Sequence, residues 1–405
     1  MSTTQVSNRF IRRQVALVAT SQFASVSASL GMPVAMTFAV LNAGGNAAEV
    51  GVVLASATFP FIVFLLVGGV VADRRSRKLV ALSADIARAL ISFMIAGLMF
   101  VNPSSVIGLI ILSAMWGAAR GFFTPSITAL LPEVVPAEGL QRANAVRATA
   151  ISFGQAAGPA LVGVVVAASG TRIAMLVVAV MYLASASALS LLHPTNANTL
   201  RQESHPLADL VAGVDEVRSR EWAWTTMVAY AGMHLVSFGP LLVLGPILAN
   251  SQLGGARAWG ILLGAQGVGG IIGSLAGFKF RPKFPLRTSI LVATLAAGFP
   301  LALATHQSMT ALFITSAVDG ACFAAFGVVW ETLLQTSVPK EALARVTSLD
   351  WVASMATLPL GEILAGPEMR MIGVTPSLLF AGVALVGGNV GLLLIRSVRN
   401  IRQAS

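Results

Sequence analysis

Only one cysteine, Cys322, occurs in 405 residues. The chain therefore has no intramolecular disulfide, and no cysteine spacing from which a metal site could be read. Charge is equally sparse. Asp, Glu, Lys and Arg make up 10% of the sequence against 56% hydrophobic residues, which leaves a water-soluble fold too little polar surface to cover its apolar side chains. No GxxxxGK[ST] loop is present, so ATP hydrolysis by this chain is excluded as an energy source. No nucleophile, base and orienting group fall together, and no metal-ligand spacing occurs. The reading is of no enzyme, no cofactor and no metal. Met1 to Gln14 carries arginines but no short apolar core with a cleavage site, which reads as a cytoplasmic start and not a signal peptide.

What the chain has instead is apolar length. Crossing a bilayer takes roughly 20 mostly apolar residues, and twelve such runs are predicted at 14–40, 47–72, 79–101, 105–130, 143–168, 173–193, 223–248, 257–279, 288–305, 309–335, 346–368 and 375–396. Lys and Arg orient them, because short cytoplasmic loops hold most of a membrane protein's cations. With the amino terminus inside, 21 of the 26 Lys and Arg residues fall on the inner side, three outside (Arg172, Arg257, Arg370) and two within spans (Arg88, Arg120). Both termini are then cytoplasmic. The net charge of +10 belongs to a surface beside anionic lipid and implies no nucleic-acid partner.

The two halves repeat. Val135-Pro-Ala-Glu-Gly-Leu-Gln-Arg142 returns as Val338-Pro-Lys-Glu-Ala-Leu-Ala-Arg345, with five identities in eight positions at an offset of 203. Gly158 and Gly163 pair with Gly361 and Gly366 at the same offset, and Gly69 with Gly273 at 204. In a hydrophobic chain a period this long predicts two parallel six-helix bundles related by an axis along the membrane normal. The bundles are expected at 1–193 and 222–405, joined by a polar cytoplasmic loop at 194–221 whose stretch Leu207 to Val217 has the apolar spacing of an interfacial helix.

After the second run comes Gly69-Val-Val-Ala-Asp73-Arg74-Arg75-Ser76-Arg77-Lys78, a carboxylate at a helix end followed by clustered cations. It resembles the GxxxDRxGRR/K signature of the major facilitator superfamily, with Ser76 in place of Gly. The fifth run carries Gly154-Gln-Ala-Ala-Gly158-Pro159-Ala-Leu-Val-Gly163, similar to the GxxxGPxxGG element of that superfamily's drug and proton antiporters, with Val162 replacing a Gly. Its small residues four apart suit close helix packing, and Pro159 suits a bend. Further phrases, among them Thr124-Pro125, Gln141-Arg142-Ala-Asn144 and Trp330-Glu-Thr332, are similar to the branch of enterobactin-exporter-like and macrolide-efflux-like proteins.

The resemblance implies a cytoplasmic gate built from Gly69, Asp73, Arg74, Arg77 and Lys78, with Asp85 and Arg88, three apart, as a local pair beside it. Arg147 and Asp350 stand at equivalent positions with opposite charge, which predicts a lock between the bundles. Intramembrane ionisable residues are costly and are usually functional or paired. Proton-coupling candidates are therefore Arg120, Asp319, Glu362 and His234, each with a packing or hydrogen-bonding role as the alternative. The expectation is an all-α integral membrane transporter of the bacterial inner membrane. It would act as a monomer and export a small amphipathic compound in exchange for protons. The rivals are a symporter or facilitator for uptake, and a non-transporting receptor or assembly protein on the same fold.

Overall fold

A computed structural model describes residues 3–136, 139–194, 214–279 and 282–401, and among these the structure is helical with no strand. Most of the expected interfacial helix at 207–217 lies outside the described residues, although 214–218 is helical. In hydrocarbon no water is available to bond a free N–H or C=O, so an apolar chain satisfies its backbone within helices. The helices are α1 (Thr3–Asn42), α2 (Ala47–Arg74), α3 (Arg77–Val101), α4 (Val106–Val134), α5 (Leu140–Ser190), α6 (Glu221–Leu253) and α7 (Ala256–Lys279). They continue as α8 (Pro285–Ala304), α9 (Met309–Ser337), α10 (Lys340–Ala356), α11 (Leu358–Ile372), α12 (Val374–Leu394) and a short α13 (Arg396–Asn400).

Side chains set several of the helix starts. Asn46 Oδ1 accepts from the Ala48 amide at 2.9 Å while Glu49 reaches back to the Asn46 amide at 2.8 Å, a reciprocal cap on α2. Ser76, Ser105 and Ser308 cap α3, α4 and α9. Ser76 thus has a use that Gly would lack: its hydroxyl takes up an open amide where α3 begins.

Ten segments among the described residues are long and apolar enough to cross a membrane. Two differences from the expected twelve have plain causes. α5 is written as one helix of 51 residues, but Gly170 at φ 82°, ψ 168° breaks it between the fifth and sixth expected runs. That conformation is open to Gly and strained for other residues. The eleventh run is divided into α10 and α11 around Thr357, just before Pro359, and at 17 and 15 residues each piece is too short to cross a membrane by itself.

The chain forms two compact units, Met1–Ala43 with Ser56–Ser204, and Gly44–Ala55 with His205–Ser405. In the first, α1 lies along α5, and α3 packs on both α4 and α5. A Cβ on Gly158 of α5 would strike the Ser27 backbone of α1, so these two helices touch through their main chains. One position further round, Gly31 of α1 makes room for Val162, the residue that departs from the antiporter element. In the second unit Gly361 of α11 meets the Leu235 and His234 carbonyls of α6. Gly158 and Gly361, repeated at offset 203, therefore sit at the same joint in each unit, whereas Gly366 approaches Ala48 of α2. The pairing of Gly69 with Gly273 shifts by one: Gly68 approaches Gly121 of α4, while Gly69 has open space.

The tightest seam of the second unit is α7 on α9, where Gly269 and Gly273 rest on the Ala317 and Ala321 carbonyls. Replacing Gly269 by Ala forces backbone against backbone and is expected to cost about 1–3 kcal/mol, seen as a lowered melting midpoint of the purified protein. Gly97→Ala, where a Cβ meets nothing within 4 Å, should leave the midpoint unchanged.

Candidate functional site

The centre of the first unit is a closed polar knot. Arg88 and Asp85 of α3 pair with one another, both essentially inaccessible to solvent. The guanidinium also donates to Ser29 and Ser25 of α1, each at 3.0 Å, and Ser185 of α5 donates to the second Asp85 oxygen. Its carbon lies 4.2 Å from the Phe123 ring centre and 4.5 Å from that of Tyr182. Tyr182 bonds Ser29 at 3.1 Å and accepts from Trp116 Nε1 of α4 at 3.0 Å. Four helices are thus tied to one buried ion pair. Arg120, one turn along α4 from Trp116, lays its guanidinium 4.3 Å from the Phe61 ring centre of α2.

The cations of the expected gate bind within their own unit. Arg77 donates to the Ala129 carbonyl at 3.2 Å and to Glu133 at 3.1 Å, both near the end of α4. Lys78 donates to the carbonyls of Ser190 and Leu192 at 2.7 Å, where α5 ends. Open carbonyls at a helix end carry partial negative charge, which is the physical reason for cations there. Asp73 falls in the last turn of α2, its side chain outside those described, and Arg74 is exposed. Arg147 donates to Thr128 at 3.1 Å. Gly154 rests on the Phe23 carbonyl of α1, and Pro159 and Gly163 are buried on α5, which runs helical through them to Gly170.

The second unit is hollow where the first is knotted. A cavity of ≈450 Å³ opens among α6, α9 and α10. Tyr230 stacks on Phe326 at 4.5 Å, and Phe326 on Trp330 at 6.2 Å with an interplanar angle of 11°. Trp330 Nε1 donates to Asp350 at 2.9 Å, which places that carboxylate in the wall, with Glu331 beside it. His234 sits in a π-helical turn of α6, His234–Phe238, and its Nδ1 donates to the Tyr230 carbonyl at 2.8 Å.

His234 and Phe323 also form part of a smaller cavity of ≈170 Å³ that reaches Gln266 of α7. Gln266 in turn donates to Asp319, which is 3% exposed on α9. Glu362 is buried on α11 and lines neither cavity. Of the expected coupling residues, His234 lines both cavities and Asp319 stands behind Gln266 in the wall of the smaller one. The aromatic stack went unforeseen. Its one available sign was the rarity of tyrosine: the only two, Tyr182 and Tyr230, stand at the centre of the two units.

Residues 10–404 match the family described as transmembrane secretion effector. The chain belongs to this family of the major facilitator superfamily. Among relatives of the family, the multidrug efflux pump Tap of Mycolicibacterium fortuitum is 24% identical over 395 residues, covering 95% of this chain and 96% of Tap. The enterobactin exporter EntS of Escherichia coli O1:K1 / APEC is 29% identical over 347 residues, covering 84% and 81%. The fold agrees with that of the nucleoside transporter NupG at a TM-score of 0.77 and 14% identity, over 94% of this chain and 98% of NupG.

In this family member the Arg88 knot is expected to be structural before anything else. Removing one partner of a buried pair strands the other's charge, at about 3–5 kcal/mol. Arg88→Met should therefore lower the melting midpoint sharply. Asp85→Asn added to it should recover part of the loss, since no stranded charge remains. A double variant no more stable than Arg88→Met would show that the pair is not the source of the effect.

Proposed function

We propose that this protein exports a small amphipathic compound across the bacterial inner membrane in exchange for protons, by alternating access of its two bundles. The observation that carries the reading is the ≈450 Å³ aromatic cavity of the second unit, joined through His234 to the pair Gln266–Asp319. Its size lies within the usual range of small-molecule sites. Met227 and Met355 in its wall suit cargo of varied shape, because unbranched thioether side chains adapt their packing. The names of Tap and EntS support the outward direction. So does the run of Gly154, Gly158, Pro159 and Gly163 on α5, through its likeness to the antiporter element.

Asp319 is the proton carrier in this reading. It is a buried carboxylate that accepts from Gln266, and Gln266 lines the smaller cavity. A proton taken up there removes a charge from the α7–α9 seam and alters the bond to Gln266, whose side chain also faces that cavity. Glu362 is the second candidate, and Arg120 a cation placed to respond from the first unit. Gly69, Asp73, Arg74, Arg77 and Lys78 form the cytoplasmic gate, with Arg147 and Asp350 available to exchange their present partners when the bundles move.

The test is proton release from acid-interior proteoliposomes on addition of siderophores, macrolides or lipophilic cations. Compound-dependent release by the wild type, lost in Asp319→Asn and kept in Glu362→Gln, is the expected outcome. Loss only in Glu362→Gln moves the carrier to α11. Labelled compound crossing with no proton movement would overturn the antiport.

A further inference from the structure

The charged lining of the cavity in the second unit is of one sign. Two carboxylates, Asp350 and Glu331, line it, and no lysine or arginine does among the described residues. This is notable in a chain of net charge +10 whose cations crowd the loops at the same end of these helices. The aromatic wall adds to the same preference. Tyr230 and Phe326 stack with an interplanar angle of 18°, and Phe326 and Trp330 with one of 11°, so three rings run nearly parallel beside the carboxylates. Ring faces carry negative quadrupole potential and attract cations, more strongly where water is reduced. Trp330 belongs to both parts of the site: its ring ends the stack, and its Nε1 orients Asp350.

We propose that the cargo bound in this cavity is a lipophilic organic cation, its charge facing Asp350 and Glu331 and its apolar body against Tyr230, Phe326 and Trp330. An anionic compound of the same shape would meet two like charges and, among the described residues, no compensating base. This names the cargo class of the exporter described above, and it rests on that reading only for the direction of movement, not for binding. Asp350 is a ligand-binding residue here, and Trp330 both a contact and a positioning residue.

Tetraphenylphosphonium and tetraphenylborate share size and shape and differ in sign of charge, which makes them the probes. Binding of each is measured by equilibrium dialysis on the purified full chain in neutral detergent. The wild type should bind the cation about tenfold or more tighter than the anion. Asp350→Asn keeps an acceptor for Trp330 Nε1 and removes the charge, so cation affinity should fall by about tenfold while the preference over the anion disappears. Asp350→Glu should restore the preference. Glu331→Gln, at an exposed position, provides a second variant should Asp350→Asn fail to fold, and should weaken cation binding alone.

Equal affinity for the two ions, or cation binding unchanged in both Asp350→Asn and Glu331→Gln, overturns the proposal. The export reading fails separately. If tetraphenylphosphonium binds with the expected charge dependence but is not moved by proteoliposomes under a proton gradient, the cargo site stands and export falls. If the proteoliposomes move anionic and neutral compounds while the cation neither binds nor moves, export stands and the cargo class falls.

Discussion

Hydrocarbon offers no hydrogen-bond partner, and nearly every feature of this chain follows from having to find one internally. Backbone groups are satisfied in helices because nothing else in the bilayer will bond them. Helices come together by close contact at small residues, since lipid tails are as apolar as the side chains and provide no hydrophobic drive between helices. Gly158 on Ser27, Gly361 on Leu235 and Gly269 on Ala317 are contacts of this kind, main chain against main chain. Polar side chains follow the same rule. Arg88 is tolerated because Asp85, Ser25, Ser29 and two aromatic rings surround it.

The two units use one backbone plan for different ends. The glycine joint between first and fifth helices is kept in each, Gly158 on Ser27 and Gly361 on Leu235. Around it the side chains have diverged. Serines on α1 and α5 close the first unit over a single ion pair, a rigid arrangement in which most polar groups are bonded. The second unit places Tyr230, Phe326 and Trp330 there and leaves space beside them, with carboxylates in the walls.

Much of the fold was legible before any coordinates. Apolar runs placed most of the spanning helices, because spanning length is a physical minimum that composition must satisfy. The break in α5 at Gly170 falls between two of those runs, 143–168 and 173–193, whereas the split of α10 from α11 was not separable from hydropathy. The first is a single positive φ, and the second divides one run into helices of 17 and 15 residues, each shorter than a span. The local pair Asp85 and Arg88 was readable from its spacing of three. Of the groups that complete it, Ser25 and Ser29 lie 63 and 59 residues from Arg88 and Ser185 lies 100 from Asp85, while Trp116 and Tyr182 come from α4 and α5, and they carry no shared period.

Sequence alone determined the solvent of this protein, its duplication and its family, since hydrophobic length, charge placement and a repeat at offset 203 are one-dimensional quantities. Tertiary structure decided what the charged residues touch. Arg77 and Lys78, read as gate cations, bind the ends of α4 and α5. Asp350, read as half of a lock, is oriented by Trp330 in a cavity wall. The reason is geometric: a helix face presents each side chain to whichever neighbour packs there, and that neighbour is chosen by the sum of all helix contacts, not by any local spacing.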